Sequence, residues 1–477
     1  MLLKKLLLLV CLSSFGVIAS LEAQNLNKED STKKVAKNNP DNVLFKAIES
    51  ALKNNKEILA AEEGLKAIHE NHVSAAASFR PKINFNTQYQ AGDKKTWNTQ
   101  KDNWDNNKQN SKSYVKSYGV GVKQNIFHGF ADVAALKEID WSVKAKWSEF
   151  EAKKQEVLKN VAIAYFTIIA KKEEINHLKS LLDARKESIE VAKETNEAGS
   201  AKYLDVAQAN AAYAETESKL AKVEAEYIAY VAQFEEMTGY KLPNNLIIPG
   251  VLFDEKMTEQ QAIDIALKNN PTIAASVYAL SAAKIAVKKA TPEFTPSVDL
   301  SYSFDQSYDH SSKNRAPSDN KLNSKGHTVA LALSVPIYDG GAARAEKRKF
   351  ITLATKAAVE KEKTIDDVKA QIKSVLAALN AAKQSLISAR EAIKAREIAL
   401  RDTKAECKAG VKIIKDELDA QEQLFEAKFM ETQAENDYFS NQCRANALLG
   451  RMDARYLKVM DSGFNYKEHF RKTSRKL

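Results

Sequence analysis

An apolar residue every seventh position from Ile365 to Leu400 constrains this chain more than any other feature. Ile365, Ile372, Leu379, Leu386, Ile393 and Leu400 keep the period without a miss, the pattern breaks at Lys408-Ala409-Gly410, and a new helical pattern runs from Lys412 to Ala420. A heptad seam of this length belongs to helices that wind around one another with a left-handed supercoil. The stretch therefore reads as a long helix, a tight tip and a returning helix. The construction occurs a second time, in Val161, Ile168, Ile175, Leu182 and Ile189, followed by Ala198-Gly199 and then Tyr203-Leu204-Asp205-Val206. These five positions fall on Ile372 to Leu400 when displaced by 211. The chain carries two copies of one long helical hairpin.

The duplication extends upstream. Ala51-Leu52-Lys53-Asn54-Asn55 matches Ala266-Leu267-Lys268-Asn269-Asn270 at an offset of 215, and Phe79-Arg80-Pro81 matches Phe294-Thr295-Pro296 at the same offset. Asparagine tolerates the left-handed conformation that ends helices and can cap the next one, and Pro271 suits a first helical turn. After each Phe-x-Pro the period changes to two. Ile83, Phe85, Thr87 and Tyr89 alternate with Asn84, Asn86, Gln88 and Gln90; Val298, Leu300, Tyr302 and Phe304 alternate with Asp299, Ser301, Ser303 and Asp305. These are two-faced strands. Residues 91 to 114 and 306 to 326, rich in Asn, Asp, Lys and Ser, read as long polar loops. A second strand then returns in each half, around Tyr118, Val120 and Val122 and around Val329, Leu331, Leu333 and Val335. Each strand is about the 9 to 11 residues that cross a bilayer at a tilt.

Within 477 residues the domain order is a signal peptide at 1–19 (cleavage after Ala19 or Ala23 both fit), a polar segment at 20–40, a first repeat at 41–240, a linker at 241–256, a second repeat at 257–452 and a polar basic tail at 453–477. The signal reading rests on Lys4-Lys5, the apolar run to Ala19 and the small residues that close it. Removing it takes away two lysines and no acid, so the net charge falls from +10 to +8. Beyond it no apolar run is long enough for a transmembrane helix. The basic excess is diffuse, which argues against a nucleic-acid partner. Cys407 lies just before the tip and Cys443 far along the returning arm, tens of ångströms apart at about 1.5 Å per residue and beyond disulfide reach. The histidines show no metal-ligand spacing, and there is no nucleophile and base pair or phosphate loop, so neither a cofactor nor an enzymatic reaction is expected.

Strands in lipid must close into a barrel, because an open edge leaves backbone groups unpaired. Four per chain are too few, the smallest such barrels having about eight. If these strands span a membrane, several copies share one barrel. The duplicated order, the Ala-Leu-Lys-Asn-Asn and Phe-x-Pro segments, Val335-Pro-Ile-Tyr-Asp-Gly-Gly341 and Gly410-Val-Lys-Ile-Ile-Lys-Asp-Glu-Leu-Asp-Ala420 together resemble the TolC-type outer-membrane efflux proteins over residues 41 to 452. The resemblance implies a mainly α protein with membrane β: a homotrimer whose twelve-stranded β-barrel, four strands per protomer, continues into an α-helical coiled-coil barrel through the periplasm. It further implies an outer-membrane channel serving efflux or type I secretion, with a periplasmic adaptor and an inner-membrane transporter as partners. The alternative is a periplasmic coiled-coil adaptor without a channel, a class that presents one hairpin where this chain has two.

At the tip, the family's pore-constricting acids match Asp416 and Asp419. They lie three apart on one helix face, and such rings favour cations. A carboxylate at Asp416 is also favourable simply because it sits in a first helical turn. Asp205 and Lys412 match the family's latch between neighbouring hairpins. The latch tyrosine falls at Cys407 and its arginine is a lysine here, which removes bidentate pairing.

Overall fold

In this computed structural model the described residues are 43–97, 108–199, 202–243, 245–246, 257–290, 295–313 and 316–453. The expected signal peptide, the polar segment after it, most of the linker, Trp104 and the basic tail lie outside them.

Each repeat opens with two short helices. α1 (Val43–Asn54) buries Leu44, Ala47, Ile48 and Ala51, the four-residue spacing of one helical face. α2 (Lys56–Ala76) starts where the Asn54-Asn55 pair interrupts the chain. Asn55 is extended, not left-handed, and it works as a cap: its Oδ1 accepts from the amides of Glu57 (3.0 Å) and Ile58 (3.2 Å), while its Nδ2 donates to the Met237 carbonyl (2.9 Å). A 3₁₀ turn, Ala77–Phe79, leads into β1 (Lys82–Trp97) and β2 (Lys108–His128). α3 (Ala131–Glu197) and α4 (Tyr203–Thr238) form the first hairpin. The second repeat follows in the same order: α5 (Glu259–Asn269), α6 (Pro271–Lys289), β3 (Ser297–Lys313), β4 (Ala316–Ser334), α7 (Ala342–Lys408) and α8 (Ile414–Leu448). Asn270 repeats the cap, accepting from Thr272 (2.8 Å) and Ile273 (3.3 Å) and donating to the Leu448 carbonyl (2.8 Å). One residue thus starts a helix and ties it to the end of the returning arm.

α3 and α7 are both 67 residues long. At about 1.5 Å per residue each spans roughly 100 Å. The apolar core sits near their midpoints, where Val161, Tyr165 and Ile168 meet Leu44, Leu65, Phe234 and Cys443, and where Ile372 and Leu379 meet Ala266, Ile273 and Leu449. Cys407 and Cys443 are both free thiols.

The four strands form one antiparallel sheet in the order β1-β2-β3-β4. Here the sequence expectation needs correction. The segments read as long loops are mostly strand, because β1 continues to Trp97, β2 begins at Lys108, β3 runs to Lys313 and β4 starts at Ala316. The ladder is made by backbone groups. Asn, Ser and Lys can therefore continue it without any apolar alternation. At 16 to 21 residues the strands exceed what a bilayer crossing needs. Each pair of strands feeds its long helix through a left-handed turn: Gly129 and Phe130 in the first repeat, Gly340 and Gly341 in the second.

The two repeats are alike internally and unlike in what surrounds them. α3 packs on α1, α2 and α4 of its own repeat and also on α6 and α8 of the other. α7 packs on α5, α6 and α8 of its own repeat, with no comparable packing against the first repeat's α2 or α4 among the described residues. Apolar residues stand exposed on it as a result, among them Val359, Ile387 and Ile398. The sheet shows the same imbalance. β2 pairs with β3 across the repeats, whereas β1 and β4 are edges that expose Ile83, Phe85, Val329 and Leu331.

Candidate pore tip

Both hairpin tips are built alike. Ala409 caps the end of α7, Gly410 takes a left-handed φ of 74°, and the amide of Val411 returns to the Glu406 carbonyl at 2.9 Å. α8 then starts with Asp416 reaching back to accept from the Ile413 amide at 3.2 Å. In the first tip Gly199 has φ 73°, and Asp205 accepts from the Lys202 amide at 3.0 Å. Asp205 and Asp416 are equivalent under the 211 offset, and each satisfies one of the amides that a helix start leaves unpaired.

Capping explains the position of Asp416 without reference to a pore, yet it uses only Oδ2. Asp419 is different. It caps nothing, it is exposed, and its equivalent in the first repeat is Gln208. Glu417 and Leu418 between the two aspartates are buried, so the acidic pair points away from the packed side of α8.

The two latch candidates do not meet within the chain. Lys412 pairs with Glu406 of its own tip at 2.6 Å, and this carboxylate, with Asp416 nearby, holds the ammonium pKa above its usual value. Cys407, where the resemblance leads one to expect a tyrosine, donates its thiol to the Ile413 carbonyl at 3.2 Å. Burial and the charge of Glu417 push that thiol up, so the neutral form that donates this bond is favoured.

Heptad periodicity does not reveal a polar belt that joins the two hairpins just above the tips. Arg185, only 3% exposed, donates to Glu422 at 3.1 Å, and Lys219 donates to the other Glu422 oxygen at 2.7 Å. Lys404 pairs with Glu187 at 2.8 Å and holds that carboxyl below its usual range. Gln421 bridges Ser188 (3.1 Å) and Glu417 (3.2 Å). Burial lifts the Glu417 carboxyl above the ordinary glutamate range. The signal for it is the polar Glu417-x-x-x-Gln421 step, at helical spacing on the buried side of α8. Among the described residues no group of His, Cys, Asp and Glu is placed to hold a metal. No described helix is long and apolar enough to cross a membrane.

With this geometry in hand, the chain can be set beside known proteins. The family model described as outer membrane efflux protein matches residues 47–240 and 262–451, one span for each repeat. The outer membrane efflux protein BepC of Brucella suis is 24% identical over 430 residues, covering 90% of both chains. The outer membrane protein TolC of Vibrio cholerae is 21% identical, covering 88% of this chain and 93% of its own. The alkaline protease secretion protein AprF of Pseudomonas aeruginosa is 20% identical over 66% of each. Among solved structures, the Campylobacter jejuni CmeC outer membrane channel superposes with a TM-score of 0.71 at 17% identity, covering 91% of this chain and 89% of that one. The outer-membrane channel OprN gives 0.70 at 19% identity, covering 85% and 89%. These likenesses show the fold.

Proposed function

The chain belongs to the outer membrane efflux protein family, and from that premise we propose that it is a passive conduit running from the outer membrane into the periplasm, assembled from three copies. The observation that carries this reading is the mismatch between equivalent surfaces. The contacts that α3 makes with α6 and α8, and that β2 makes with β3, have counterparts on α7 and β4 that find no partner in one chain. A second copy offering its α2, α4 and β1 supplies them. Such a contact is head-to-tail and closes only as a ring. Three copies of two repeats give a pseudo-sixfold helical tube, and three copies of four strands give a closed barrel in place of an open edge.

A periplasmic adaptor and an inner-membrane transporter are the partners we propose at the far end, supported by the AprF and BepC relatives, whose names speak of secretion and efflux. The protein itself does no chemistry. Asp416 and Asp419 of each copy form the pore constriction, supported by their exposure on one side of α8 and by the lack of a capping role for Asp419. Asp205 and Lys412 are proposed to meet between tips of neighbouring copies, since Asp205 spends one oxygen on its cap and Lys412 is exposed. The domain division is residues 1–19 as export signal, then 20–40, 41–240, 241–256, 257–452 and 453–477; the helical spans 43–238 and 259–448 support the repeat bounds.

Fractionation of cells expressing the chain tests the reading. A heat-modifiable oligomer in the outer membrane that conducts in planar bilayers is expected. A periplasmic or inner-membrane form removes it.

A further inference from the structure

The apolar face of the sheet changes character abruptly near its loop end. The register aligns residues across all four strands in rows. Two successive rows, Ile83–Val122–Tyr302–Val329 and Phe85–Val120–Phe304–His327, are dominated by apolar and aromatic side chains. The next three rows each contain one lysine and no acid. They are Thr87–Tyr118–Gln306–Lys325, then Tyr89–Lys116–Tyr308–Asn323, then Ala91–Tyr114–His310–Lys321. The opposite face at the same height has the reverse sign, with Asp305 and Asp309 and no lysine. The segregation follows the pleat, so charge is sorted by face and not merely by loop composition.

The tyrosines in these rows mark the level at which a barrel leaves hydrocarbon for headgroups. Lys116, Lys321 and Lys325 stand within this aromatic belt and are exposed. Lys325 lies over the Phe304 ring at 5.6 Å, and none of the three has an ion pair among the described residues. Neighbouring strands are about 4.8 Å apart and alternate residues about 7 Å apart along a strand, so the three lysines fall in a patch roughly 10 Å across the strands and roughly 14 Å along them. Three uncompensated lysines among tyrosines, facing outward next to an apolar band, complement a group that carries negative charge at its head and acyl chains below.

We propose that Lys116, Lys321 and Lys325 form a binding site for phosphate-bearing lipid headgroups in the membrane leaflet on the loop side of the sheet. The inference rests on the membrane-barrel reading above. The acyl chains lie along the rows of Phe85 and Ile83, and the phosphates sit at the three lysines.

The test uses the full mature protein purified as its oligomer in detergent, with bisphosphorylated lipid A as the probe. Its dephosphorylated form and inorganic pyrophosphate are the comparison arms. The intact lipid is expected to bind and to raise the thermal dissociation temperature. The triple variant Lys116→Gln, Lys321→Gln, Lys325→Gln is expected to bind it about tenfold more weakly or worse. Lys94→Gln, on the opposite face, leaves binding unchanged. Equal binding of dephosphorylated lipid, an equal effect of pyrophosphate, or an unaffected triple variant overturns the site. Should the triple variant fail to assemble, binding to the wild-type oligomer decides: it weakens with rising salt if the lysines hold phosphate, and salt independence overturns the proposal. Absence of a membrane-embedded oligomer overturns the barrel reading and this site with it. An embedded oligomer blind to the phosphates overturns the site alone.

Discussion

Asp205 and Asp416 occupy one structural position twice, and that repetition separates two roles. Loss of either carboxylate removes a cap, so Asp205→Ala and Asp416→Ala are each expected to cost about 1 kcal/mol of stability in thermal unfolding. Only Asp416→Ala, alone or with Asp419→Ala, is expected to weaken block of single-channel current by multivalent cations. Equal block in all variants would leave Asp416 as a cap and nothing more. Glu417, one residue on, is buried beside Gln421 with its pKa raised. A raised carboxyl pKa means that the folded hairpins bind this proton more tightly than the unfolded chain does. Its charged form therefore destabilises above the raised value, and the penalty fades as pH falls toward the ordinary glutamate range. Glu417→Gln is expected to stabilise the protein at neutral pH, with the gain shrinking under acid. Glu187, held low by Lys404, has the opposite sign: its contribution is present above the ordinary glutamate pKa and is lost as pH falls through the depressed one. A melting series from neutral to acid pH on Glu417→Gln and Glu187→Gln checks both, and parallel curves would contradict them.

Among the elements, the hairpins were legible and the contacts between them were not. The heptads from Val161 and from Ile365 marked the two long helices and their tips, because the period of a seam is a local property of sequence. The Asn54-Asn55 and Asn269-Asn270 breaks were visible too, although their tie to the returning arm at Met237 and Leu448 was not. Strand length was misread at residues 91 to 114 and 306 to 326, since a pattern search follows apolar alternation and the ladder needs none. The belt of Arg185, Glu422 and Lys219 depends on how two hairpins are set against each other, which no periodicity states. This belt also distinguishes the two seams. The 211 offset maps Arg185 to Arg396, but Glu422 and Lys219 map to Ala211 and Met430, so the seam expected between copies lacks the shared carboxylate. Glu422→Ala leaves the buried Arg185 guanidinium without its partner, a change that costs about 3 kcal/mol. Hydrogen exchange is expected to speed in α3 and α8 near the belt and to stay unchanged at the midpoint core. Uniform acceleration would show that the belt is not a local lock.

At the scale of the whole molecule, one chain is half satisfied. α3 is covered on every side that α7 leaves bare, and β2 and β3 are paired where β1 and β4 are not. The duplication makes these statements equivalent, because in the proposed assembly the second repeat finds in another copy what the first finds in the second. The charge near the loop end of the sheet is sorted too, with Asp305 and Asp309 on one face and Lys116, Lys321 and Lys325 on the other. The mass of the oligomer extracted from the outer membrane, read by native mass spectrometry, tests this most directly. Three chains per particle are predicted, and a stable single chain or an even-numbered assembly would contradict the account.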